Sequence, residues 1–233
     1  MPTVLLLVAS LGLAAPTGGS ATGAAAIIDR VVEAYGGREA LASHPFVVQE
    51  GEVAAHAHAD VGRVTRILAR PWRLRVSIRY PGGATERRLL DGQRGWRDGR
   101  EVTGSPAMAA MLLQAARMDL PFLLHEARAR VVDEGDVERE GRTLRALRVP
   151  LAEGMDVVAE VDPASGRIER AVARAQAGGI PLEFRTAYAD FRKVSGVLVP
   201  FREENFAQGR HAGTTTLKSV EFLSEAPTGA FQP

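Results

Sequence analysis

Cysteine is absent from all 233 residues. That excludes a disulfide framework, a thiolate zinc site, a cysteine nucleophile and a lipid-modified N-terminal cysteine. Net charge is nearly absent too, at +1, so bulk electrostatics name no partner. Catalytic signatures are missing as well. There is no glycine–serine–glycine nucleophile elbow, no phosphate-cradling glycine loop and no paired His–Glu zinc helix. Past the N-terminus, no stretch reaches the ~18 uncharged apolar residues that would span a bilayer. These absences argue against an enzyme, and no cofactor is implied.

At 45% hydrophobic and 24% charged residues, the chain has enough apolar content for a core or a lined cavity. Its first apolar run, Val4 to Ala15, has the length of a signal-peptide core, and small residues follow from Pro16 to Ala26. The pattern predicts a signal peptide and small-residue tail over residues 1–24, cleaved after Ala15 or Gly23, and one domain over residues 25–233. No Lys or Arg precedes the run, so the amino terminus alone supplies positive charge. A buried N-terminal strand or helix is the alternative.

Ile27, Ile28, Val31, Val32 and Tyr35 fall at helical spacing, and Gly36-Gly37 is a left-handed helix stop. The remainder reads mostly as strands. In residues 72–80, Trp72, Leu74, Val76, Ile78 and Tyr80 share one face, while Arg73, Arg75, Ser77 and Arg79 share the other. Between positions 105 and 118, Ser105-Pro106 opens a helix, with Met108, Met111, Leu112, Ala115 and Met118 at helical spacing. Phe122 to Leu124 continue the apolar run. From residue 129 onward, strands of about 8–12 residues alternate with turn signals, which predicts a meandering antiparallel sheet. The clearest hairpin is 182–202, with Val194-Ser195-Gly196 as its turn and Pro200 marking a bulge or free edge.

Two polar features invite a functional reading. His56, His58 and Asp60 lie two apart, so on a strand they would share a face and could approach one metal. Metal sites need three or four convergent groups, and a solvent-facing polar edge is the simpler reading. Residues 63–100 hold eleven arginines against three acids, which would suit nucleic acid or an anionic headgroup. The acidic stretch from Asp133 to Glu140 offsets this run, and few aromatics interleave with it. A solvated face paired with acidic neighbours is therefore expected, with no nucleic acid.

Three segments in this order carry a family resemblance: Ala34-Tyr35-Gly36-Gly37-Arg38-Glu39-Ala40-Leu41, then Asp91-Gly92-Gln93-Arg94-Gly95-Trp96, then Asp190 to Arg202 with its Ser195-Gly196 turn. Together they resemble the LolA-like periplasmic proteins, the outer-membrane lipoprotein-sorting proteins and their relatives. The resemblance implies a mainly β (α+β) fold, a strongly curved antiparallel sheet or half-open barrel whose apolar concave face is covered by helices. It also implies non-covalent binding of a lipid or lipoprotein acyl chain in the cell envelope. The pocket residues come from periodicity instead. Trp72, Leu74, Val76, Ile78, Tyr80, Leu89 and Trp96 would line the sheet side, with Met108, Met111, Leu112, Met118 and Phe122 as the lid. The same residues would make an ordinary filled core equally well. An envelope protein that binds a partner protein is the alternative, followed by a metal-dependent hydrolase built on His56 and His58.

Overall fold

The computed structural model describes residues 21–233 apart from Ala59. The expected leader therefore lies outside the described residues as far as position 20. Helix α1 (Ala21–Ala34) buries Ile28, Val31 and Val32 and hands over at Gly36 to the short helix α2 (Gly37–Ala42). Gly36 has φ 106°, and a Cβ there would sit 2.6 Å from the Gly196 carbonyl oxygen, so only glycine fits this approach. The Tyr35 hydroxyl, beside it in sequence, accepts from the Ile168 N–H at 3.3 Å.

A first meander follows: β1 (Phe46–Ala55), β2 (Val61–Ala69), β3 (Arg73–Arg79), β4 (Thr85–Asp91), β5 (Arg94–Arg97) and β6 (Arg100–Glu101). Two helices interrupt it, α3 (Pro106–Met118) and α4 (Leu120–Glu126), meeting at 85°. Ser105 caps α3 by accepting from the Met108 N–H at 3.4 Å, with Pro106 in the first turn, as the sequence predicts. A second meander completes the chain: β7 (Val132–Arg139), β8 (Arg142–Ala152), β9 (Met155–Val161), β10 (Ile168–Ala177), β11 (Ile180–Val194), β12 (Val197–Ala207) and β13 (Arg210–Leu223).

All thirteen strands join one unclosed sheet, ordered β6-β5-β4-β3-β2-β1-β13-β12-β11-β10-β9-β8-β7. The paired strands are antiparallel, and β1 sits near the centre between β2 and β13. The two-residue turns explain the long meander. Asp98-Gly99, Glu140-Gly141, Ser195-Gly196 and Gln208-Gly209 all have positive φ at both positions, the turn whose twist matches that of the flanking strands. Pro200 pairs with Phe191 of β11, whereas the pairing of β12 with β13 begins only at Arg202. The missing N–H of Pro200 thus falls where the β13 side is unpaired, as the free-edge reading requires.

The sheet has two faces with different covers. Helices pack on the concave face. On the convex face the C-terminal segment docks, with Ala230 and Phe231 buried against Ala69 and Leu89 and packed by Trp96. Arg75 holds it by donating to the carbonyls of Gly229, Ala230 and Gln232 at 3.0–3.2 Å, and Arg73 lies 4.2 Å over the Phe231 ring. These are two of the residues the sequence assigns to an exposed cationic face.

Candidate functional site

A cavity of about 380 Å³ lies between α3 and the concave face of β1–β4 and β11–β13. Its apolar wall starts from β3, whose alternation points Val76 and Ile78 inward, with Val53 and Val64 beside them and Tyr80 just beyond the strand. Met111 and Met118 close it from α3. Unbranched methionine leaves flexible side chains over a space that a branched residue would define rigidly. Five of the twelve expected pocket residues thus line it: Val76, Ile78, Tyr80, Met111 and Met118.

The other seven lie elsewhere. Leu74 is fully buried in the core of the same half. Met108 fills the space left by Gly95, where a Cβ would lie 3.1 Å from its Cγ, and Leu112 packs against the same core. Trp72 has φ 109° and stands outside β3, so the strand alternation does not extend to it; its side chain wedges between the two halves of the core. Phe122 lies 4.0 Å under the Arg70 guanidinium. Leu89 and Trp96 are direct cross-strand partners on the convex face, beneath the C-terminal segment. Their inward neighbours are Leu90 and Gly95. A one-residue phase error flips a side chain to the other face, and the consecutive Leu89-Leu90 leaves that phase ambiguous in sequence.

The polar floor of the cavity has no local sequence signal. Arg66 on β2 and Glu203 on β12 are both buried and form a two-bond ion pair at 2.9 and 2.7 Å, supported by Gln49 at 3.4 Å. In sheet order β1 and β13 lie between them. The pair is a chord across the curved surface, bridging three strand spacings of ~4.8 Å each. Burial alone would lower the Arg66 pKa, but the Glu203 charge outweighs it and holds Arg66 above its ordinary value. Nearby, the Tyr188 hydroxyl donates to the Arg117 carbonyl at 2.9 Å, satisfying a carbonyl in the last turn of α3. Burial pushes the Tyr188 hydroxyl pKa upward, so it stays protonated.

At the mouth, Glu86 accepts from Arg88 at 2.6 Å, and Arg88 also donates to Gln114 of α3 at 3.3 Å. His58 stacks on Tyr80 at 3.9 Å and reaches Glu86 at 3.3 Å. His56 turns the other way. It lies 2.7 Å from His211, which in turn meets Glu204 at 2.8 Å. The shared-face geometry expected of the two histidines fails because β1 ends at Ala55 and both fall in the following turn. Among the described residues no three acid, histidine or cysteine side chains converge as a metal site.

A second junction holds the helices on the sheet. Arg70, just after β2, makes two 2.7 Å bonds to Asp119 between α3 and α4 and also donates to the carbonyls of Leu41 and His44. A smaller space of about 70 Å³ lies beside it.

Solved structures with the same architecture exist. A LolA superfamily protein from Nitrosomonas europaea superposes with a TM-score of 0.59 at 14% identity, over 90% of this chain and 97% of that one. The fold is LolA-like. A domain described as an outer membrane lipoprotein-sorting protein from Vibrio parahaemolyticus matches with a TM-score of 0.52 at 12% identity, over 91% of this chain and 97% of that one. No protein-family model and no curated protein matches the sequence. The expected class, a curved antiparallel sheet with helices over its concave face, is therefore the observed one, and the LolA-like resemblance holds at the level of fold. Among the described residues, no single helix is long and apolar enough to cross a membrane.

Proposed function

We propose that this protein is a soluble periplasmic carrier or sensor that holds a lipid or lipoprotein acyl chain between α3 and the curved sheet. The observation that carries this reading is the space left beneath the methionine face of α3. The volume of about 380 Å³ falls in the range of small-molecule sites, ~300–1,000 Å³. Valine, isoleucine and methionine form much of its wall, and each Å² of apolar ligand surface buried there contributes ~25 cal/mol. The LolA-like fold agrees with such a role, and the leader expected over residues 1–24 would deliver the chain to the periplasm. The reading is one of binding without chemistry.

The direct test is mass spectrometry of an organic extract from protein exported and purified without detergent. A defined lipid in near-stoichiometric amount supports the carrier reading. Lipid-free protein that also fails to bind a fluorescent fatty acid overturns it in favour of a partner-binding envelope protein. Ala110 lines the cavity from α3, so Ala110→Phe should fill it. The expected outcome is loss of ligand with a stability change under ~1 kcal/mol, because the added ring enters existing space.

A further inference from the structure

Four arginines and two glutamates line the cavity. Arg66 is paired with Glu203, and Arg88 with Glu86. Arg97 lies at the exposed rim, 3.8 Å from Asp98. Both cavity carboxylates are thereby engaged. Arg117 remains. Its Nη1 is shut off from solvent and has no hydrogen-bond partner, and it forms no ion pair among the described residues. The residue is half-buried, and a guanidinium with a sealed, unbonded nitrogen and no carboxylate partner is stabilised by an incoming counter-charge.

The surroundings of Arg117 fit an incoming anion joined to an apolar chain. The Phe184 ring lies 5.2 Å from the guanidinium carbon, and Met118 follows next in the chain. Gln114 lies one turn earlier on α3 and lines the same space; its Oε1 accepts from Arg88, which leaves its amide N–H groups as a second donor. Burial holds Arg117 below its ordinary pKa, the direction expected of a cation awaiting its partner.

We propose that the ligand carries an anionic head group, a carboxylate or a phosphate, and that Arg117 receives it with a two-pronged bond while the chain lies against Val64, Val76 and Ile78. This rests on the carrier reading and narrows it to acidic amphiphiles, as against the neutral ester and amide chains of a lipoprotein. Planar guanidinium suits both oxyanions, and a charge-assisted bond is roughly twice as strong as a neutral one.

Calorimetric titration of the exported, delipidated chain tests this with three ligands of equal chain length: hexadecanoate, methyl hexadecanoate and hexadecyl phosphate. An acid should bind the wild type roughly tenfold or more tightly than the ester. Arg117→Met should abolish that preference, and Arg117→Lys should keep part of it. Ligand-free Arg117→Met should melt no lower than wild type, since it removes a half-buried cation that has no ion-pair partner among the described residues. Preference for hexadecanoate assigns a carboxylate and preference for hexadecyl phosphate assigns a phosphate; each supports the proposal if Arg117→Met removes it. Equal affinity of acids and ester in the wild type overturns the head-group assignment and leaves the carrier reading standing. Failure of all three to bind overturns both.

Discussion

Helix α3 divides the interior into a filled half and a hollow one. Ala109, Leu113 and Ala116 face the second meander, where Leu147 of β8, Val157 and Ala159 of β9, and Ala171 and Ala173 of β10 are sealed from solvent. Alanine on both partners lets helix and sheet approach closely, and α1 and α4 cover what remains. On its other side α3 presents Met108, Met111 and Met118 to the strands of the first meander, with no further helix over them. Met108 and Met111 fill the notch at Gly95, and the space beside them stays open. The difference between core and cavity is therefore written in the side chains of a single helix: alanine and leucine on the filled side, methionine with Gln114 and Arg117 on the hollow one.

The largest expected effect lies in the floor of the hollow half. Glu203→Ala would leave Arg66 buried without its counter-charge, so urea unfolding should show a loss of ~3–5 kcal/mol, and the double variant Arg66→Met/Glu203→Leu should recover most of it. A loss below 1 kcal/mol for the single variant would mean that water already reaches the pair. Next comes the contrast along α3. Leu113→Ala, in the filled half, should cost ~2–5 kcal/mol, whereas Met111→Ala should fall at the low end of that range, ~2 kcal/mol, because its side chain borders space that is already open. Equal losses in the same denaturation assay would erase the distinction between the halves.

The smallest effect is at the cavity mouth. Burial alone would raise the Glu86 pKa, but Arg88 and His58 outweigh it and hold the carboxyl below the usual range. A depressed folded-state pKa contributes stability that is fully present above the ordinary ~4.3 and is lost as pH falls through the folded value. The melting temperature of Glu86→Gln should therefore decline less than that of wild type between pH 6 and pH 3. Parallel curves would remove Glu86 from the acid response.

Much of this architecture is written locally. A residue with side-chain bulk followed by glycine marks four of the tight turns, strict alternation marks β3, and Ser105-Pro106 marks the start of α3. The three segments that carry the family resemblance have local structural duties. Gly36 meets Gly196, Tyr35 anchors α1 to β10, and Asp91 pairs with Arg73 at 2.6 Å. What stayed hidden depends on distant partners. Arg66 and Glu203 look like members of ordinary polar runs until curvature brings β2 opposite β12. Arg117 looks like a solvated helix-end cation, the usual favourable placement. Trp96 reads as a pocket residue because nothing near it in sequence announces that Phe231 will cover the convex face.

The place of β1 has a consequence for how the molecule comes into being. Its neighbours are β2, made at once, and β13, made last, with Phe46 opposite Leu223. Until β13 has been made, a strand near the middle of the finished sheet has one bare edge. Contacts this far apart in sequence close slowly, because a long loop must be ordered before they reward it. The first meander must therefore wait, edge exposed, for β13. Loss of the last strand would unpair the centre of the sheet and leave its periphery intact.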